Sequence, residues 1–144
     1  MRRPLLLFVT SLLLVSCAGT AGSGTGAGPA AAPVAILGEQ RSDAGSVNVV
    51  ATWVATDPPA MKVTMDTHTV DLDGSDLATL ARVRLDGGTW VAPTAVDVPN
   101  GGHHREGTLT FATLRSGFDV ARVVELEIRD IAVPIRLLRW ERRS

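Results

Sequence analysis

Apolar and polar residues alternate with a period of two over much of the chain beyond residue 46, the pattern of strands with one buried face. Met61, Val63 and Met65 alternate with Lys62, Thr64 and Asp66, and Ala81, Val83 and Leu85 alternate with Arg82, Arg84 and Asp86. Further on, Leu109 and Phe111 alternate with Thr108, Thr110 and Ala112, and Val124, Leu126 and Ile128 with Glu125, Glu127 and Arg129. Val47 to Ala55 carries Val, Thr and Trp with apolar residues on both faces, which predicts a central strand holding Trp53 in the core. Val96 and Val98 predict a short strand, and Ile131 to Trp140 a last one, with Pro134 placing it at an edge or bulge.

Breakers separate these runs. Asp57-Pro58-Pro59 ends the first, because proline cannot donate to a ladder. Asp86-Gly87-Gly88 predicts a hairpin turn with Thr89 to Ala92 pairing back, and Pro99-Asn100-Gly101-Gly102 a loop. Ser75-Asp76 before Leu77-Ala78-Thr79-Leu80 predicts an N-capped helical turn. Arg115 to Val120 is expected to be a loop with Phe118 plugging the core edge. The alternation that begins at Met61 changes phase after Thr67, since the next apolar residues are Val70 and Leu72. A bulge or tight bend is therefore expected between Asp66 and Thr69, with His68 in it. Seven to eight short strands and frequent turns predict an all-β fold, an immunoglobulin-like antiparallel β-sandwich, with a small β-barrel as the alternative. Trp90, just past a hairpin turn, and Trp140, beside Arg139, Arg142 and Arg143, are expected to be more exposed than Trp53.

The first residues follow a different rule. Arg2 and Arg3 precede an apolar run from Leu5 to Val15, a basic region and core as in a signal peptide. This run is shorter than the ~20 residues of a membrane-spanning helix. Leu14-Val15-Ser16-Cys17 resembles a bacterial lipobox, so residues 1–16 are expected to be removed and Cys17 to carry lipid. The chain would then be an exported lipoprotein anchored to a membrane of the bacterial cell envelope. Ala18, where an aspartate would signal inner-membrane retention, points to the outer membrane in a Gram-negative cell. Residues 17–45 form the lipidated cysteine and a Gly/Ala/Ser/Pro-rich tether, with Val34 to Gly45 either linker or a first edge strand, and residues 46–144 form the β-sandwich domain.

Composition narrows the chemistry. Cys17 is the one cysteine in the sequence, which excludes a disulfide and cysteine-based metal or redox motifs in the domain. The 14 basic and 15 acidic residues give a net charge of -1, and loss of Arg2 and Arg3 leaves 12 against 15, a net of -3. With a single lysine, Lys62, and no basic patch, nucleic acid is not an expected partner. Two segments hold all three histidines: Asp66-Thr67-His68-Thr69-Val70-Asp71-Leu72-Asp73, and Gly101-Gly102-His103-His104-Arg105.

These segments, with Asp76-Leu77 and Gly107-Thr108-Leu109-Thr110-Phe111, resemble a family of short bacterial secreted proteins and lipoproteins that carry DTHSVDLD-like and GGHH-like motifs. The resemblance covers about Val49 to Trp140, with Thr69 where the family has serine. It implies the domain's extent and draws attention to the histidines, and it implies no particular reaction.

His68, His103 and His104, with Asp66 or Asp71 as an oxygen ligand or as the partner of an imidazole N–H, form a candidate site for zinc or copper. The alternative is that His68 serves local hydrogen bonds at the bend while His103 and His104 are solvated loop residues. Met61 and Met65 fall on the inward face, where core filling outweighs copper carriage. Asp71 cannot start an EF-hand, since the sixth and twelfth positions would be Asp76 and Arg82. Ser116 lacks the G-x-S-x-G context of a hydrolase nucleophile. The sequence therefore favours a non-enzymatic binding module. One form binds a metal through its histidines, and the other binds an envelope protein without a metal.

Overall fold

The structure, a computed structural model, describes residues 37–142. The expected signal peptide, Cys17 and the tether as far as residue 36 lie outside the described residues, as do Arg143 and Ser144. Eight strands build two antiparallel sheets: β1 Leu37–Ser42, β2 Val47–Thr56, β3 Pro59–Thr67, β4 Ala81–Leu85, β5 Ala95–Asp97, β6 His104–Thr110, β7 Val123–Arg129 and β8 Ile135–Glu141. Five strands pair in the order β1-β2-β3-β6-β5 and three in the order β4-β7-β8. The fold is an all-β sandwich of two open sheets, not a closed barrel.

Each long strand follows the alternation of its sequence. Val47, Val49, Ala51 and Trp53 of β2 and Met61, Val63 and Met65 of β3 are buried, while their neighbours are not. From the opposite sheet Ala81, Val83, Val124, Leu126, Ile128, Leu138 and Trp140 meet them. Trp53 lies at the centre, with ring centroids 4.5 Å from Phe118, 5.8 Å from Phe111 and 5.9 Å from Trp140. Trp140 is thus core, contrary to the exposure its arginine neighbours suggested. Its place is set by strand parity, since β8 alternates exposed and buried from Ile135 to Glu141.

Several elements differ in detail from expectation. Of the two readings left open for Val34 to Gly45, linker or first edge strand, Leu37–Ser42 takes the second, as β1 at the edge of the large sheet. Two side chains from β8 fasten it. Arg136, almost wholly buried, donates to Ser42 O and Oγ, Ala44 O and Ile131 O, and Trp140 Nε1 donates to Gly38 O. Burial lowers the Arg136 pKa, an effect the charge of Asp43 opposes. Beyond Gly87-Gly88 the chain forms only an isolated bridge between Val91 and Val83 rather than a strand over Thr89 to Ala92. Pro93, which has no N–H, follows at once. Arg115–Phe118 is a short helical turn instead of loop, preceded by a 3₁₀ turn over Ala112–Leu114, and Phe118 is buried as expected. Pro134 stands in the β7-β8 connection, where its carbonyl accepts from Asp130 N, so β8 begins only at Ile135.

Candidate functional site

The two histidine-bearing segments meet at one end of the large sheet because β3 and β6 are paired neighbours, with Asp66 opposite His104. β3 ends at Thr67 in the expected bend. The buried Thr67 Oγ1 donates to Ser46 O and accepts from Thr69 N and Val70 N, closing a side-chain turn that presents the exposed His68. Thr67 N in turn donates to His103 O at 2.9 Å.

Arg105 ties the two loops together. Register on β6 turns it inward between the outward His104 and Glu106, and it is only 2% exposed. Its Nε donates to Pro99 O at 2.8 Å, Nη1 to Leu72 O at 3.0 Å and Ser75 O at 2.7 Å, and Nη2 to Asn100 Oδ1 at 3.0 Å. One guanidinium thus holds four acceptors from both loops, which a lysine ammonium cannot do with the same planar fork. Asp73 Oδ1 adds a bond from Gly102 N, and Asp71 Oδ1 accepts from Asp73 N. Gly101 and Gly102 have φ of +93° and +83°, and a Cβ on Gly101 would lie 3.0 Å from Asp73 Oδ1. Glycine at these two positions lets the loop reach Asp73.

On this frame His104 Nδ1 lies 2.6 Å from Asp66 Oδ1, and the His68 and His104 rings stand edge to face with centroids 6.0 Å apart. A carboxylate in this position accepts a hydrogen bond from the tautomer that carries its hydrogen on Nδ1, the tautomer whose Nε2 can ligate. His103 instead lines an open hollow of about 450 Å³ with His68, Asp71, Asp73, Val70 and Gly102. A second hollow, of about 340 Å³, lies between Asp43, Ser46, Asn48, Asp66, Thr67 and His68. Asn48 Oδ1 is buried without a hydrogen-bond partner.

The chain matches no family model, no curated protein and no solved structure. What the site can do must come from its own geometry.

The structure brings His68 beside His104 and His104 beside Asp66, but not all five sequence-selected residues to one point. Among the described residues no three His, Cys, Asp or Glu side chains converge as a ready metal cluster. The reason is local: His104 is the first residue of β6 and faces outward there, whereas His103 precedes the strand and lines the hollow of about 450 Å³ with His68 and Asp71. Asp71 supports the loop through its bond from Asp73 N and shares the hollow of His103.

A second polar assembly covers the outer face of the small sheet. Glu127 lies 2.8 Å from Arg82 and 2.5 Å from Arg129, and Glu125 lies 2.5 Å from Arg84 and 3.2 Å from Arg139. Trp90 stacks on both Arg82 and Arg84, 4.8 and 4.4 Å from ring centroid to guanidinium carbon. Both glutamates are buried beneath these arginine side chains, although alternation places them outward. Glu125 has a lowered pKa, chiefly through its hydrogen bond from Arg84, against an opposing desolvation effect.

Proposed function

We propose that the protein is an exported binding module, lipid-anchored through Cys17 in the bacterial cell envelope, that holds a transition-metal ion, zinc or copper, on His68 and His104. The observation that carries this reading is the Asp66–His104 hydrogen bond beside the His68 ring. A carboxylate that fixes one ring nitrogen leaves the other free to ligate, an arrangement frequent around histidine-bound metals. Two imidazoles suit zinc and copper, and neighbouring Asp71 and Asp73 add negative charge that favours a cation. The anchor rests on the basic, apolar and cysteine features of residues 2–17, and the resemblance to secreted proteins and lipoproteins agrees with it.

Calorimetric titration of the protein with zinc and with copper(II) tests the metal reading. Micromolar or tighter binding is expected, lost in His68→Ala and in His104→Ala and weakened about 10- to 100-fold in Asp66→Asn. Binding that survives the double histidine variant would refute the site. Interaction with an envelope protein is the second reading, favoured by Ile135 and Leu137, which are 58% and 51% exposed on β8.

A further inference from the structure

The outer face of the small sheet holds a further hollow, built without the histidines. Strand pairing sets Arg84, Glu125 and Arg139 in one row across β4, β7 and β8, since Glu125 lies opposite both arginines. One residue past β4, Asp86 reaches the start of β7, where its Oδ1 accepts from Arg122 N at 3.0 Å and Val123 N at 2.8 Å. That pair of bonds holds Arg122 at the end of the row. Arg84, Arg122 and Arg139 thus line one open hollow of about 510 Å³ together with Asp86 and Glu125.

The two signs of charge in this hollow are not equally engaged. Asp86 serves two backbone N–H groups, and the buried Glu125 accepts from Arg84 Nε at 2.5 Å and Arg139 Nη1 at 3.2 Å. The guanidiniums, with five N–H donors each, keep several unused. Arg84 gives only its Nε and is held 4.4 Å from the Trp90 ring centroid. Arg139 gives Nε to Glu141 and Nη1 to Glu125, which leaves Nη2. The Arg122 guanidinium makes no hydrogen bond or ion pair among the described residues, and its side chain is exposed. Glu125 therefore works as a bracket beneath the surface, fixing two guanidiniums while their outer edges stay open.

We infer that this hollow binds a phosphomonoester group, carried by a soluble compound or by a lipid headgroup. Guanidinium forks match phosphate oxygens in geometry and charge. Three of them, from β4, β8 and the start of β7, suit a tetrahedral group with three terminal oxygens better than a carboxylate with two. Fixing Arg84 and Arg139 in advance lowers the ordering cost of binding, since long side chains otherwise lose rotamer freedom when they close on a ligand. The site lies on the sheet opposite the one that carries His68 and His104, so it stands or falls independently of the metal reading.

Residues Ala32–Ser144 form one compact unit that contains the whole core, so that unit, carrying no lipid, is the material for the test. NMR follows the arginine Nε–H signals while inorganic phosphate, or acetate, replaces chloride at constant ionic strength. Phosphate is expected to shift Arg84, Arg122 and Arg139 saturably, with a Kd of about 1 mM or tighter, and acetate to give no saturation. Arg122→Ala and Arg139→Ala, both at exposed side chains, should each weaken phosphate about tenfold or more, the effect of one charge-assisted hydrogen bond. Arg129→Ala removes the same charge from the same face outside the hollow and should change the affinity less than about twofold. Flotation with phosphatidylcholine vesicles, with and without phosphatidic acid, separates the two sources. Retention that needs phosphatidic acid and is lost in Arg122→Ala identifies a headgroup, whereas phosphate binding without retention identifies a soluble compound. Acetate bound as tightly as phosphate, or equal weakening in Arg129→Ala, would overturn the site as diffuse surface charge. Neither saturable shifts with phosphate nor retention on phosphatidic acid would overturn it outright.

Discussion

Replacing Arg105 with alanine should be the most damaging single change to the histidine-bearing loops. The guanidinium serves Pro99 O, Leu72 O, Ser75 O and Asn100 Oδ1. All four acceptors lose the bond from this residue, and Leu72 O keeps a second donor, Ser75 N at 3.0 Å, so three are left without that compensation. A hydrogen bond to a charged group contributes about 1.5–3 kcal/mol. Water entering the opened loops would recover part of this, which puts the expected loss at about 3–5 kcal/mol for three neutral acceptors left without the guanidinium. Against a typical total of about 5–15 kcal/mol, this is a large fraction. Urea unfolding followed by tryptophan fluorescence gives the value, and Arg105→Lys should recover only part of it because an ammonium cannot span both loops. Amide exchange of Thr67, bonded to His103 O across the two segments, should quicken in the alanine variant. A loss below about 1 kcal/mol with an unchanged urea slope would refute the clamp.

Three further outcomes are expected. Glu125 has a folded-state pKa below its ordinary value of 4.5, so its contribution is full above about that pH and is lost as pH falls through the folded value. Glu125→Gln should accordingly be less stable than the native protein at neutral pH and less sensitive to acid below pH ~4.5, and parallel urea-midpoint curves from pH 3 to 6 would contradict this. In Gly107→Ala the new Cβ would lie 1.9 Å from Asp97 O, so β5 must move from β6 at a cost of about 1–3 kcal/mol, visible as lost amide protection in Ala95–Asp97. Trp90→Ala removes a ring shared by Arg82 and Arg84 and should cost about 1–2 kcal/mol, and an unchanged thermal midpoint would discount the stacking.

Period-two alternation carried most of the fold, because nearly every strand has one face in the core and one outside. Where that pattern was overruled, the cause is nameable. Trp140 looked exposed because arginines flank it, yet counting by twos from Leu138 puts it inside. Arg105 was named only as the end of the second histidine motif and given no role. The same count taken back from Phe111 through Leu109 and Gly107 puts Arg105 on the inward side, so the signal was present. Burial of Glu125 and Glu127 was beyond such counting, since both do face outward and are covered by side chains from neighbouring strands and by Trp90. The meeting of the two histidine segments required the pairing of β3 with β6, a contact between residues about 40 positions apart that no local pattern encodes. The split between His103 and His104 followed from where β6 begins, one residue past His103.

The fastening of β1 has a mechanical consequence. A pull applied to the chain at Leu37 meets backbone bonds to β2 in one sheet and the grip of Trp140 on Gly38 and Arg136 on Ser42 and Ala44 from the other. Load is thereby divided between both layers at the first residues of the fold, and the strand cannot peel from its edge without also breaking its bonds to β8. A domain held this way keeps its shape under tension entering from its amino-terminal side, as a hook set in two boards holds better than one set in either.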